Sequence, residues 1–305
     1  MQRYLPDSYM FLGIEIGGTK LQLGIGAGDG VLRARWRGDV DVTEGGVGIR
    51  RQILDAVPAL LTDAKLQHGD LRGIGIGFGG PVDDARRTVI KSHQIEGWEN
   101  FPLADWISQA LGLPAVLGND ADVAGLAEAH HGAGKGLSPI FYITIGSGIG
   151  GGFIVDGQIY RGQGRGGAEI GHVHVFDPAS RKEDLLEHVA SGWAIGRRAS
   201  SRSGGQITAR EVGDRARNGD PRALDVLSET CDALWQAIRH VIVLLCPRRI
   251  VIGGGVSLMG DPLFRPLRER LAQLDFEPFR GLTDIVPAAL GEDVVVHGAL
   301  TLAAM

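Results

Sequence analysis

Two distant stretches of this chain follow one plan, and that duplication limits the fold more than any other feature. FLGIEIGGTKLQLGIG (11–26) reads as strand, tight glycine turn, strand, and Asp29-Gly30 then turns the chain into VLRARWR. From Pro139, IFYITIGSGIGGGFIVDGQIY repeats the order: strand, glycine turn, strand, Asp-Gly turn, strand. Aligning Ile16-Gly17 with Ile145-Gly146 brings Asp29-Gly30 within two positions of Asp156-Gly157. Each repeat is a three-stranded meander, and the pair implies an internal duplication.

The segments around the meanders add helices and buried parallel strands. Val47, Ile53, Leu54, Val57, Leu60 and Leu61 recur at helical spacing within 46–67, and LRGIGIGF then returns as a strand too apolar for a sheet edge. A helix follows at 102–111, then the strand AVLGND and a short helix ADVAGLAEAHH. From about 183 the chain is mainly helical, RRIVIGGGVS supplies one more strand, and VVVHGALTLAAM closes as a helix packed on an earlier layer. The pattern is α/β. The 305 residues exceed one compact core, which favours two domains around a cleft. The expected division is a smaller domain of 1–118 plus 290–305 and a larger domain of 119–289 with a helical insert.

Composition removes several classes of function. No apolar run reaches the roughly 18 to 20 residues needed to cross a bilayer, and the first residues lack a signal-peptide core, so a soluble, cytoplasmic protein is expected. The net charge is −5 with Lys and Arg dispersed, which argues against nucleic acid as a partner. Cys231 and Cys246 are expected in one helical stretch, too far apart for a disulfide, as buried thiols without zinc-ligand spacing. The anomaly is the 48 glycines, about twice the ordinary share.

Glycine turns after buried strands suit phosphate, because backbone N–H groups approach an anion most closely where no Cβ intervenes. Gly17, Gly18, Thr19 and Lys20 form the first such turn, to which Thr19 adds a hydroxyl and Lys20 an ammonium. Gly146, Ser147, Gly148 and Gly150 form the second. Each alone is also what a tight hairpin requires; the repetition favours a ligand. Gly146, Gly148 and Gly151 match a dinucleotide fingerprint formally, yet another strand follows where that fold needs a helix. A P-loop fails as well, since Ala129 stands where the first glycine before Gly134-Lys135 is needed. Gly253-Gly254-Gly255 ends a strand and suits either an adenosine or a plain turn.

Asn119-Asp120 falls where a strand gives way to a helix, a position that suits either a helix cap or a general base. GGAEIGHVHVF offers Glu169, His172 and His174, with the two histidines expected on one face of a strand. A metal pair and a hydrogen-bonded pair are both open there, and Glu169 with His172 suits sugar hydroxyls. Glu187 is either a further acceptor or the solvent face of a helix, and Arg197, Arg198 and Arg202 read as surface charge.

Assembled in order, these segments resemble the ROK family of sugar kinases and repressors, over the chain from Phe11 onward. The resemblance rests on GIEIGGTK (13–20), GIGFGGPVD (75–83), GWEN (97–100), GND (118–120), IGSGIGGGFIVDGQIYRG (145–162), AEIGH (168–172), LLEHVASG (185–192) and IVIGGGVS (250–257). It implies the two-domain actin-like ATPase (ribonuclease H-like) fold and ATP-dependent phosphorylation of a hexose, glucose first, at a primary hydroxyl. It further implies Asp120 as the catalytic base, and Asn119, Glu169, His172 and Glu187 as sugar ligands beside Gly80-Pro81. The two hairpins correspond to the phosphate motifs and Gly254-Gly255 to the adenosine side, with Mg²⁺ accompanying ATP and a homodimer as the assembly.

Three departures accompany the match. Glu15 replaces the usual Asp before the first turn, where it is the candidate for contact with Mg²⁺. VHVFDPASRKEDLL replaces a cysteine-rich zinc loop, so no structural zinc is expected. His93-Gln94 replaces a Pro-Asn pair of many family glucokinases. Family repressors carry a helix-turn-helix ahead of the first hairpin, for which the residues before Phe11 leave little room. A non-catalytic sugar-binding or regulatory protein of this kind is the remaining alternative.

Overall fold

The computed structural model describes residues 9–92 and 94–305, so the departure at His93 lies outside the described residues. The described chain divides into two compact units, each built on a five-stranded sheet.

The first unit comprises the chain through His131, together with Ile159–Gly166 and Glu292–Met305. Strands β1 (Met10–Ile16), β2 (Lys20–Gly26) and β3 (Leu32–Asp39) form the expected antiparallel meander. Helix α1 (Gly45–Asp63) leads to β4 (Leu71–Phe78), and a small hairpin, β5 (Val82–Asp83) with β6 (Thr88–Val89), follows it. Helix α2 (Leu103–Leu111), β7 (Ala115–Asn119) and α3 (Asp120–His131) complete this run. The sheet order is β3-β2-β1-β4-β7, with β1, β4 and β7 parallel. On α1 the buried positions are Gly46, Gly48, Ile49, Ile53, Ala56, Val57, Leu60 and Leu61; Val47, expected on that face, is exposed. The C-terminal helix Val294–Ala304 packs on β1, β4 and α3. Gly75 explains how closely: a Cβ there would fall 1.8 Å from the Ala299 carbonyl oxygen, so the helix backbone rests directly on the strand.

Gly132–Gln158 and Gly167–Gly291 form the second unit. Its strands are β8 (Ile140–Ile145), β9 (Ile149–Val155), β10 (Gln158–Ile159), a separate hairpin of β11 (His174–Asp177) and β12 (Lys182–Leu185), then β13 (Arg249–Gly253) and β14 (Asp284–Pro287). The sheet order is β10-β9-β8-β13-β14. Counting only the strands of each five-stranded sheet in chain order, both run third, second, first, fourth, fifth, so the duplication covers the whole sheet and not only the meander. Helices α4 (Leu186–Ala190), α5 (Gly192–Ser203), α6 (Ala209–Arg217), α7 (Pro221–Leu245) and α8 (Asp261–Ala272) supply the helical cover. Asp220 caps α7 by accepting from the N–H groups of Arg222 and Ala223, with Pro221 in the first turn.

Two expectations change here. The boundary expected at 118 falls inside a continuous passage, because α3 follows β7 without a break and packs on the C-terminal helix of its own unit. Cys231 lies buried within α7, whereas Cys246 ends that helix in a left-handed conformation (φ 43°) and is only half-buried. No described helix is long and apolar enough to cross a membrane.

Candidate active site

Three parallel strands of the first sheet end level with one another: Ile16 pairs with Phe78, and Phe78 with Asn119. The first glycine turn, Gly79-Gly80-Pro81 and Asp120 therefore emerge at one edge, the carboxyl end where parallel sheets bind ligands. Gly17 donates its N–H to the Lys20 carbonyl at 2.9 Å, closing the turn, and Gly79 donates to the Ile16 carbonyl at 2.9 Å. An added Cβ at Gly79 would lie 3.5 Å from Asp120 Oδ2 and 3.6 Å from the Gly17 Cα, which puts the Asp120 carboxylate beside the first turn.

Capping in this place belongs to the neighbouring residue. Asn119 Oδ1 accepts from the N–H groups of Ala121 (2.9 Å) and Asp122 (3.4 Å), while its Nδ2 donates to the Gly80 carbonyl at 3.0 Å. One side chain thus starts α3 and fixes the Gly80-Pro81 segment. Asp120 Oδ1 accepts from Ala121 N–H at 2.8 Å, at the start of α3. Beyond Pro81, Asp84 pairs with Arg161, and Asp83 lies 3.5 Å from Arg165, tying the segment Ile159–Gly166 to the β5–β6 hairpin.

Glu15 is buried at the end of β1, opposite Gln22. Its Oε2 accepts from Gln22 Nε2 at 2.6 Å and its Oε1 lies 3.3 Å from Lys20 Nζ. Burial raises its pKa, against the opposing pull of Lys20 and Gln22. Lys20, expected to present its charge at the turn, is engaged by this carboxylate. Gln94 lies over Gly18, where a Cβ would fall 1.4 Å from the amide oxygen.

In the second unit the expected residues gather around 145–150. Gly146 donates to the Gly148 carbonyl at 2.9 Å and accepts from Gly192 N–H at 2.8 Å, while Ser147 is exposed at the tip. Glu187 Oε2 accepts from Ile149 N–H at 2.8 Å, and a Cβ on Gly148 would come within 2.3 Å of that oxygen. Glu187 therefore faces the glycine hairpin, not solvent. β13 runs parallel beside β8, so Gly254 meets Ile145; its φ of +78° and a Cβ position 2.5 Å from the Ile145 carbonyl oxygen both require glycine. Gly255 then opens a 3₁₀ turn, Gly255–Met259.

Glu169 precedes a 3₁₀ turn, Ile170–His172, and its Oε2 lies 3.8 Å from His172 Nδ1. Desolvation raises its pKa, His172 opposes, and the like charge of Glu187 adds to the rise, which solvent tempers because the side chain is half-exposed. His172 and His174 do not share a strand, since His172 closes the 3₁₀ turn and His174 opens β11. That removes the geometric basis for a metal pair. No group of three or more His, Cys, Asp or Glu suited to a metal ion occurs among the described residues. Arg198 is not surface charge either: it is largely buried, bonding Asp177 at 3.0 Å and lying 3.4 Å from Glu229, with Arg202 also on Glu229. With the pair of hydrogen bonds between Gln236 and the Phe176 backbone, it secures the β11–β12 hairpin.

The sequence model of the ROK family matches residues 11–305. The chain belongs to the ROK family. A glucokinase of Halalkalibacterium halodurans is 31% identical, over 94% of this chain and 93% of that protein. A crystal structure of a ROK family glucokinase from Streptomyces griseus in complex with glucose and AMPPNP is 30% identical, with a TM-score of 0.79 over 96% of this chain and 99% of that one. The ROK hexokinase of Thermus thermophilus is 27% identical, with a TM-score of 0.81 over 96% and 97% of the two chains. This ROK protein accordingly has the α/β fold of the actin-like ATPases.

Sequence reasoning passed over Gln22 and Gly79. The signal for Gln22 was a polar residue inside the otherwise apolar run KLQLGIG; Gly79 had none, because only strand register brings it against Asp120.

Proposed function

We propose that this ROK protein is a sugar kinase that transfers the γ-phosphoryl group of ATP to a primary hydroxyl of a hexose, with glucose the leading substrate. The observation that carries this reading is the Asp120 carboxylate, set beside a glycine turn while Asn119 takes over the capping of α3. Phosphoryl transfer asks little covalent chemistry of a protein and much positioning. Asp120 orients the hydroxyl and accepts its proton as the new bond to phosphorus forms. Asn119, Glu169, His172 and Glu187 bind the other sugar hydroxyls, and the Gly80-Pro81 segment, fixed by Asn119, lines the pocket. The backbone N–H groups of the turns at 17–20 and 146–150 hold phosphate oxygens, and Gly254-Gly255 accommodates the adenosine.

Magnesium belongs to the same proposal. Glu15 is a desolvated carboxylate whose pKa stays raised despite Lys20 and Gln22, so a further positive charge beside it is favoured. Magnesium bound with ATP neutralises phosphate charge, and Glu15 would hold it. A cytoplasmic location is part of the same reading.

Asp120→Ala tests the assignment. Loss of a general base costs about 10²–10⁴-fold in kcat, while sugar binding, measured by calorimetry, should persist. The assay is ADP release from MgATP with a panel of hexoses. Near-normal turnover in the variant would reject Asp120 as the base. Absence of turnover with every hexose in the wild type, together with tight sugar binding, would mark a protein that binds sugar without transfer.

A further inference from the structure

Among the described residues Trp193 is the most exposed of the large apolar side chains, at 79%, whereas Trp98 is fully buried and Trp36, Trp106 and Trp235 are partly covered. Tryptophan offers a large, flat apolar face, the residue type enriched where a ligand or partner is bound. Its place in the fold is fixed with unusual firmness. Ser191, itself buried, caps α5 by accepting from Ala194 N–H. Gly192 donates to the carbonyl of Gly146 in the second hairpin, and a Cβ on Gly192 would stand 2.6 Å from that oxygen and 3.5 Å from Val256 Cγ2. Trp193 is the next residue, where the glycine hairpin and the 3₁₀ turn Gly255–Met259 come together. That turn carries a second exposed apolar side chain, Leu258, at 76%, whose carbonyl Arg217 holds at 3.2 Å. Two exposed apolar residues thus follow within two positions of Gly192 and Val256, which meet at the backbone assigned above to phosphate and adenosine.

We infer that Trp193 is a stacking platform for the purine base of the nucleotide, with Leu258 as a second apolar contact. The inference rests on the proposed nucleotide role of the second hairpin and adds the residue that recognises the base. A base laid on an aromatic ring is sequence-tolerant, so Trp193 contributes affinity for a nucleobase in general more than preference for adenine. Apart from its contact with the base, Trp193 has no role in transfer.

The test compares the full-length wild type with Trp193→Ala and Trp193→Phe, binding MgATP and inorganic tripolyphosphate by calorimetry. Losing one base–aromatic stack should weaken ATP by on the order of tenfold in Trp193→Ala and leave tripolyphosphate unchanged. Trp193→Phe should recover most of the ATP affinity, and the tryptophan fluorescence change expected when the wild type binds ATP should vanish in both variants. Equal weakening of both ligands would overturn the inference, since it would place the side chain's effect on the phosphates. So would unchanged ATP binding with altered sugar binding, or with an altered sedimentation coefficient, which would assign the indole to the sugar or to a second copy of the chain. If the wild type binds no ATP at all, the proposed nucleotide role of the hairpin falls, and the platform with it. If the wild type binds ATP and Trp193→Ala binds it equally, only the platform falls.

Discussion

Removing the Glu187 carboxylate should weaken ATP binding as well as sugar binding, because this side chain holds the second hairpin in shape. Its Oε2 accepts from Ile149 N–H at 2.8 Å, the first strand residue after the Gly146-Ser147-Gly148 turn. A hydrogen bond to a charged acceptor contributes about 1.5–3 kcal/mol, and Glu187 is only half-buried, so the lower end applies. With about 1.4 kcal/mol per tenfold, Glu187→Ala should raise the Kd for MgATP about tenfold. Glu187→Gln keeps an acceptor oxygen and loses the charge, so about threefold is expected. Gly148→Ala reaches the same point from the other side, since its Cβ would come within 2.3 Å of the Glu187 oxygen and displace it. Calorimetry with MgATP in the absence of sugar isolates this effect from any direct contact between Glu187 and the hexose. Wild-type ATP affinity in Glu187→Ala, with only the sugar KM changed, would refute the argument and leave Glu187 as a sugar ligand alone.

Arg198→Ala strips the cation from Asp177 and leaves Glu229 to Arg202 alone, and breaking so well-covered a network should cost about 3 kcal/mol. A fall in Tm of about 5 °C by calorimetry is the expected result, and an unchanged Tm would show that the β11–β12 hairpin does not depend on this pair. His297, on the C-terminal helix, has its pKa lowered by desolvation, against the pull of Asp293 and Glu128, and its buried Nδ1 has no hydrogen-bond partner. A depressed folded-state pKa means that the unfolded chain takes up the proton first, so stability declines as pH falls below the ordinary histidine range. His297→Gln should flatten denaturant midpoints measured between pH 7 and pH 5; an unchanged slope would exclude His297 as a source of acid sensitivity.

Much of the fold was legible because hydrophobic period and turn chemistry are local. The meander at 10–39, the strand Leu71–Phe78, the helix Leu103–Leu111 and the repeat beginning at Ile140 all follow from alternation, apolar runs and Asp-Gly or Gly-Gly turns. The failures were also physical. Val47 stands between the buried glycines Gly46 and Gly48 in the first turn of α1 and so faces out, and His172 and His174 part because a 3₁₀ turn leaves no mark on an H-x-H spacing. Arg198 looked like one more charge on a helix until the β11–β12 hairpin brought Asp177 to it.

By itself the sequence determined which residue types could serve this chemistry and that there were two copies of the turn that could hold phosphate. Whether Asp120 was a cap or a base was open from the sequence, since either use needs the same residue at the same strand end. Tertiary structure bears on it through register: parallel pairing aligns Ile16, Phe78 and Asn119, Asn119 takes the capping bonds, and Asp120 stands against Gly79 and the first turn. The same holds for Glu187, whose helix could have faced water, and for Trp193, which is one residue in a helical run until Gly192 is seen bonded to Gly146. Local sequence sets what each segment becomes; only the packing of segments distant in the chain decides which side chains meet, because backbone pairing and close glycine contacts act across sequence separation.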